Sequence, residues 1–105
     1  MSEVTTIKGK TLSELCEYCH GIAKEKGFWD EERNVGEALM LVVTEIAEAM
    51  EGYRQQDNDN FQEEIADAFI RLFDFCGGMG IDIEEEISKK CDINKKRPYK
   101  HGKIC

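Results

Sequence analysis

The sequence has little of what would take it out of the class of helical globular domains. Proline occurs once in 105 residues, at Pro98, and runs of β-branched residues are few, which favours helices over strands. No run approaches the ~18–20 apolar residues that a membrane span needs. The start, Met1-Ser2-Glu3-Val4, lacks the basic-then-apolar pattern of a signal peptide. We therefore expect one domain over residues 1–105, a cytoplasmic location and no membrane partner.

Basic residues are outnumbered by acids in the chain as a whole but not at its C-terminal end. Residues 89–105 carry seven basic residues and one acid, whereas residues 1–88 carry seven basic residues and 21 acids. An acidic body repels a phosphodiester backbone, so a nucleic-acid polymer is not an expected partner. The charge asymmetry fits a cation site with an anionic ligand that reaches the basic tail, and it equally fits a solvated acidic surface with a solubilising tail.

Apolar periodicity and capping signals predict four helices. Thr11-Leu12-Ser13-Glu14 is a capping box, and Asn34 and Asp82 each precede a glutamate by three residues. We expect the helices to run from Thr11 to Gly27, from Asn34 to about Gln55, from Asn58 to Cys76 with a stop at Gly77-Gly78, and from Asp82 towards Lys96. The expected fold class is an all-α, four-helix bundle-like protomer with flexible ends at residues 1–10 and 98–105.

The second and third helices share a short acidic repeat. Glu45-Ile46-Ala47-Glu48 recurs 19 positions later as Glu64-Ile65-Ala66-Asp67, and each copy places two carboxylates on one helix face. On a helical wheel, both pairs lie beside apolar or small residues and at the same offset from the main apolar stripe of their helix. These stripes are Leu39, Val42, Val43, Ile46 and Met50 in the second helix, and Ile65, Phe69, Leu72 and Cys76 in the third.

Four carboxylates at the edge of a bundle repel one another, and a hard divalent cation relieves that repulsion. A set of oxygen ligands without His or Cys favours Mg²⁺, with Mn²⁺ as a substitute, over zinc. The alternative is that these acids are ordinary solvated helix-face residues in a chain that has 22 acids.

The acidic repeat, with 15 residues between its two halves, resembles the motif of the MazG-like nucleotide pyrophosphohydrolases, an all-α superfamily. The resemblance also covers Trp29 to Arg54, Glu63 to Phe75, and the run from Lys96 to Lys103. It implies hydrolysis of a nucleoside triphosphate to the monophosphate and pyrophosphate, and assembly as a homodimer or homotetramer. Ribonucleotides, deoxyribonucleotides and non-canonical nucleotides all remain candidate substrates.

Carried over position by position, the resemblance makes the four acids the catalytic Mg²⁺ ligands: Glu45, Glu48, Glu64 and Asp67. It assigns phosphate binding to the fourth helix and its extension, with the candidates Asn94, Lys95, Arg97, Tyr99 and Lys100. Trp29 and Arg33 are candidates for contacts to the base or sugar, although burial of Trp29 against the bundle would explain that residue equally well. Arg71 is four residues after Asp67, a spacing that favours an ordinary ion pair within one helix over contact with a phosphate.

One position departs from the family pattern. Many members begin the first motif with Glu-Glu, where this chain has Thr44-Glu45, while Glu63-Glu64 keeps a doubled acid on the other helix. The identity of the general base is therefore left open among the carboxylates.

Three other functions deserve comparison. Cys16-Glu17-Tyr18-Cys19-His20 matches a covalent haem motif, but Cys19 fits the apolar stripe of the first helix and no export signal is present. A di-iron site would use Glu-x-x-His, and neither His20 nor His101 lies in the acidic motifs. The remaining alternative is a non-catalytic acidic helical module that binds another protein.

Overall fold

The computed structural model describes residues 6–102, and within them the chain is helical and has no strand. The four α-helices are α1 (Leu12–Glu25), α2 (Val35–Arg54), α3 (Asn58–Met79) and α4 (Ile83–Lys95), followed by a short 3-10 helix at Tyr99–Gly102. The predicted all-α class with four helices is confirmed. Parts of the two expected flexible ends, residues 1–5 and 103–105, lie outside the described residues.

Local capping chemistry sets the helix starts. Thr11 and Glu14 form both bonds of the capping box, at 3.1 and 2.8 Å between side-chain oxygen and backbone nitrogen. The side chain of Asn34 accepts a hydrogen bond from the Glu37 N–H at 2.9 Å, and Asp82 does the same for Glu85 at 3.1 Å. The predicted starts of α1, α2 and α4 are therefore confirmed.

The end of α3 was predicted wrongly. The helix continues through Gly77 and Gly78 to Met79 and ends at Gly80, which has a left-handed φ of 70°. The two glycines are needed for close packing: a Cβ at Gly77 would lie 2.7 Å from the Cys16 carbonyl oxygen, and one at Gly78 would overlap the Trp29 ring. They let α1 and the segment after it approach α3, which is a tertiary requirement.

Helix α3 lies at the centre of the fold, packed on α2 and on α1. Because only Gln55–Asp57 connect α2 to α3, these two helices form an antiparallel hairpin. Helix α4 has no buried residue and packs lightly on α1. Its Glu84 carboxylate accepts hydrogen bonds from the Leu12 N–H at 3.0 Å and the Ser13 hydroxyl at 3.2 Å, at the N-terminus of α1.

The core is made of small side chains, and the larger apolar ones remain outside it. The buried apolar residues are Cys16, Cys19, Ala38, Val42, Ala49, Ala68 and Cys76. In contrast, the main apolar stripes of α2 and α3 are exposed over most of their length, with 50% of Val43, 53% of Ile46 and 56% of Phe69 accessible. The helices thus use their narrower, small-residue faces to pack on each other within the chain.

Within the described part of the chain, no helix combines the length and the apolar character that crossing a membrane requires.

Candidate metal centre

The face of α2 that packs on α3 carries one of the motif acids. Ala38, Val42, Glu45, Ala49 and Gly52 are all buried and recur at helical spacing, so Glu45 lies in the middle of the contact face and is only 8% exposed. Glu48, one turn further on, lies at the exposed edge of this face, and Glu64 of α3 is half-buried opposite it. The small neighbours of Glu45 bring the two helices close enough for their carboxylates to meet.

Three of the four predicted acids converge. One carboxylate oxygen from each of Glu45, Glu48 and Glu64 lies within 4.8 Å of the others, so this group could hold a metal ion. We call this group the carboxylate cluster. Asp67 does not belong to this close group within the described residues; it is exposed and lines a pocket that also reaches Glu45. Its role as a ligand stays a prediction.

The electrostatics of the cluster indicate that two acids share a proton. Hydrogen bonding to Glu45, and next to Glu48, raises the pKa of Glu64 to about 7. The same bond to Glu64, followed by the contribution of Arg71, lowers the pKa of Glu45 despite its burial. Within this hydrogen-bonded pair the pKa of Glu64 is thus raised and that of Glu45 is lowered.

Arg71 contacts the cluster across the helix pair. Its Nε donates to Glu45 Oε1 at 2.9 Å. The expected ion pair with Asp67, one turn earlier on α3, is not formed among the described residues, and that prediction was wrong. The buried carboxylate of Glu45 has the greater need of a cationic partner, because Asp67 is solvated.

The donor set fits a hard divalent cation. All three groups offer oxygen ligands, as Mg²⁺ and Mn²⁺ prefer. Glu64 Oε2 is shielded from solvent, and no donor among the described residues reaches it. A buried carboxylate oxygen without a partner is costly, and a bound cation would satisfy it.

A pocket of about 270 Å³ adjoins the cluster and shares Glu45 with it. One part of its wall is apolar and comes from Ile22, Ala23, Phe28 and Ile70. The other part is charged and comes from Lys26, Arg33, Glu45, Asp67, Arg71 and Asp74. An apolar wall opposite a few polar groups is the usual make-up of a small-molecule site. We call it the cluster pocket.

A buried aspartate at the far end of the pocket was missed by the sequence analysis. Asp74 is 7% exposed, and its Oδ1 lies 3.0 Å from His20 Nδ1 and 2.8 Å from Trp29 Nε1. Its Oδ2 accepts a hydrogen bond from Arg33 Nη1 at 3.3 Å. A signal was available, because Glu64, Asp67, Arg71 and Asp74 follow one another at intervals of three, four and three residues on one face of α3.

Trp29 is packed into the fold. Its indole N–H is bonded to Asp74, its ring meets His20 edge-on at 4.9 Å, and the Arg33 guanidinium lies 5.1 Å from the ring centre. These contacts match the alternative in which Trp29 is buried against the bundle. Stacking of Trp29 on a base stays a prediction, whereas Arg33 does line the cluster pocket.

The predicted phosphate-binding residues lie apart from this pocket in the described chain. Asn94, Lys95, Arg97, Tyr99 and Lys100 are all exposed, and none of them is among the residues that line it. Lys100 Nζ lies 5.7 Å from the ring centre of its neighbour Tyr99. Their role in phosphate binding stays a prediction.

The thiols next to this site serve packing. Cys16 and Cys19 of α1 are buried, as is Cys76 of α3, and burial raises the pKa of each thiol. His20, the histidine of the haem-like motif, is bonded to Asp74. Buried, protonated thiols of this kind are unreactive.

No protein-family model matches this chain, and comparisons with curated proteins and with solved structures find no match.

Proposed function

We propose that the protein is a Mg²⁺-dependent pyrophosphohydrolase that converts a nucleoside triphosphate to the monophosphate and pyrophosphate. The observation that carries this proposal is the carboxylate cluster at the edge of a pocket of about 270 Å³, with a Glu64 oxygen that no donor of the described chain reaches. The choice of reaction rests on the resemblance of the acidic repeat. The geometry supports the metal-binding part of the proposal.

Glu45, Glu48 and Glu64 would hold Mg²⁺ or Mn²⁺, with Asp67 at the pocket side of the cluster. A cation bound there supplies a Lewis acid for phosphate oxygens and lowers the pKa of coordinated water. The protein residues have separable tasks. Arg71 fixes Glu45 in one orientation through its hydrogen bond, and Glu48, which is exposed, is free to adjust to a ligand.

The cluster pocket is the proposed nucleoside site. Ile22, Phe28 and Ile70 provide apolar area for a base, and Arg33 provides hydrogen-bond donors for its polar edge or for the sugar. With the triphosphate directed towards the carboxylate cluster, phosphates and metal meet at the Glu64 end of α3. Asn94, Lys95, Arg97, Tyr99 and Lys100 lie apart from the cluster pocket in the single chain, and the proposal that they contact phosphates rests on the resemblance alone.

We further propose that the protein forms a homodimer or homotetramer. The main apolar stripes of α2 and α3 are exposed in the single chain, and contiguous apolar area of this kind is a usual mark of a protein interface. Helix α4, which has no buried residue, also has apolar side chains to cover: Ile87 is 41% and Ile93 48% exposed.

The same exposed stripes favour the second candidate, a non-catalytic helical module that binds another protein. One exchange separates the two functions. Glu48→Gln removes a cluster carboxylate at an exposed position, and Glu63→Gln removes an exposed carboxylate on α3 outside the cluster. An enzyme loses turnover in the first variant and keeps it in the second, whereas a binding module shows no Mg²⁺-dependent turnover in any form of the protein.

A further inference from the structure

Asp74 is a buried carboxylate for which neither metal binding nor core packing accounts. It lies ten residues after Glu64 on the same face of α3, so about 15 Å of helix separates it from the carboxylate cluster. Its side chain is 9% exposed, and its three partners come from two different parts of the chain, α1 and the connection between α1 and α2. Of the three partners, Arg33 lines the cluster pocket together with Asp74 itself.

The partners of Asp74 are arranged so that Arg33 faces the pocket. Trp29 is held by its hydrogen bond to Oδ1, and the Arg33 guanidinium lies over the indole ring while its Nη1 donates to Oδ2. The guanidinium is therefore fixed by two contacts, a hydrogen bond to Asp74 and a cation–π contact with the Trp29 ring. Its side chain is 17% exposed, and Arg33 lines the cluster pocket.

Fixing Arg33 in this way leaves donors for a ligand. A guanidinium has five N–H groups, and within residues 6–100 the Arg33 side chain makes no hydrogen bond other than the one to Asp74. Arg71 likewise makes one hydrogen bond, to Glu45 at the carboxylate cluster. Arg33 is thus the aligned guanidinium with free donors at the Asp74 end of the cluster pocket.

We propose that Asp74 is a positioning residue that orients Arg33 towards hydrogen-bond acceptors of the ligand in the cluster pocket. This inference rests on the proposed function, in which that ligand is the nucleoside part of a nucleotide. Asp74 acts through Arg33 and does not itself contact the reacting phosphates, which lie at the other end of the α3 face. It sets substrate affinity and leaves the chemical step at the carboxylate cluster largely unchanged.

The test measures affinity separately from turnover. Binding of the common ribo- and deoxyribonucleoside monophosphates in EDTA is followed by calorimetry, and kcat and KM are measured with the matching triphosphates and Mg²⁺. Asp74→Asn keeps the shape of the side chain but removes the negative charge that pairs with the Arg33 guanidinium. Because a charged hydrogen bond to a ligand is at stake, we expect monophosphate affinity to fall and KM to rise about 10–100-fold, with kcat within about threefold.

A double-variant cycle distinguishes positioning from a general structural role. Arg33→Gln is expected to raise KM as much as Asp74→Asn does, and in the Arg33→Gln background Asp74→Asn is expected to add less than about threefold. The control is Glu31→Gln, an exposed carboxylate two residues before Arg33, which should leave KM unchanged. The proposal is overturned if the change in KM of the double variant equals the product of the changes in Asp74→Asn and Arg33→Gln. It is also overturned if KM is unchanged in Asp74→Asn.

If Asp74→Asn does not fold, Arg33→Lys provides the test. Lysine keeps the positive charge but lacks the guanidinium group with its several N–H donors and its contact with the Trp29 ring. A wild-type KM in Arg33→Lys would overturn the proposal. The proposed function can fail on its own. If the wild type hydrolyses no triphosphate but its monophosphate binding still depends on Asp74, the reaction is ruled out and the positioning role remains. Absence of both hydrolysis and nucleotide binding overturns both.

Discussion

Arg71 of α3 and Glu45 of α2 are joined by a hydrogen bond of 2.9 Å that connects the two helices beside the carboxylate cluster. Glu45 is 8% exposed, and hydrogen bonding to Glu64, followed by this bond from Arg71, lowers the pKa of its carboxyl despite burial. The bond joins stability to function, because it places one proposed metal ligand while compensating its burial.

Replacing Arg71 by methionine should therefore destabilise the metal-free protein. The variant leaves a buried carboxylate without its cation, and we expect a loss of about 1–2 kcal/mol in the free energy of unfolding, reduced by the partial exposure of Arg71. Urea unfolding in EDTA measures it. Lys89→Met is the matched control, since Lys89 forms only exposed pairs at 3.9 Å with Glu85 and Glu86, and it should change stability by less than about 0.5 kcal/mol. Equal stability of the two variants would contradict the prediction.

The raised pKa of Glu64 predicts a pH dependence of stability in EDTA. The pKa of this carboxyl rises from an ordinary 4.5 in the unfolded chain to about 7 in the folded protein, so the folded state binds the proton more tightly. Its contribution to stability is full below pH 4.5 and is lost as the pH rises through about 7. Between pH 5 and 8, the wild type should lose stability relative to Glu64→Gln, which cannot ionise. Thermal unfolding measures this loss. If the unfolding temperatures of the two proteins change in parallel with pH across this range, Glu64 does not hold the proton.

The close approach of α1 to α3 predicts opposite effects for two glycine-to-alanine exchanges. In Gly77→Ala the new methyl would meet the Cys16 carbonyl oxygen at 2.7 Å and His20 Cβ at 2.8 Å, and the backbone cannot move away cheaply. We expect a loss of about 1–3 kcal/mol. Gly21→Ala in α1 meets nothing within 4 Å and should stabilise the protein by roughly 0.5–1 kcal/mol through helix propensity. Chemical denaturation of both variants checks the pair, and a neutral Gly77→Ala would mean that the helices are not so close.

The exposed apolar stripe of α2 predicts a homo-oligomer that dissociates when one charged residue is introduced into the stripe. Light scattering after size exclusion should give a multiple of the 12.0 kDa chain mass for the wild type. Val43→Glu places a charge among exposed apolar side chains, and we expect it to shift the protein to the single-chain mass while it stays helical. Lys24→Glu, on an exposed position of α1, should keep the wild-type mass. A wild type that runs as a single chain would contradict the proposed oligomer.

The features that could be predicted from the sequence are the local ones. Helix starts at Thr11, Asn34 and Asp82 depend on side chains within three residues. The three-residue spacing within Glu45-x-x-Glu48 and Glu64-x-x-Asp67 places the two acids of each pair on one helix face. Once α2 and α3 form a hairpin, those faces have few ways to meet.

The features that could not be predicted depend on contacts between helices. Gly77-Gly78 resembles a helix stop unless it is known that Cys16 and Trp29 lie against it. Periodicity alone suggests that the larger apolar stripe of α2 packs inside the chain. In the structure, the small-residue face around Glu45 packs inside instead. The partners of Asp74 and Arg71 are 26 or more residues away in sequence, beyond the reach of spacing rules.

Analysis of the reaction products shows whether the protein is a Mg²⁺-dependent nucleoside triphosphate pyrophosphohydrolase. The wild-type protein, Glu48→Gln and the control Glu63→Gln are each incubated with Mg²⁺ and a panel of ribo- and deoxyribonucleoside triphosphates, and pyrophosphate is separated from orthophosphate. We predict monophosphate and pyrophosphate from the wild type and from Glu63→Gln, with rates that fall roughly 100-fold or more in Glu48→Gln and in EDTA. Release of orthophosphate, or no turnover of any triphosphate by folded wild-type protein, would contradict the proposed function.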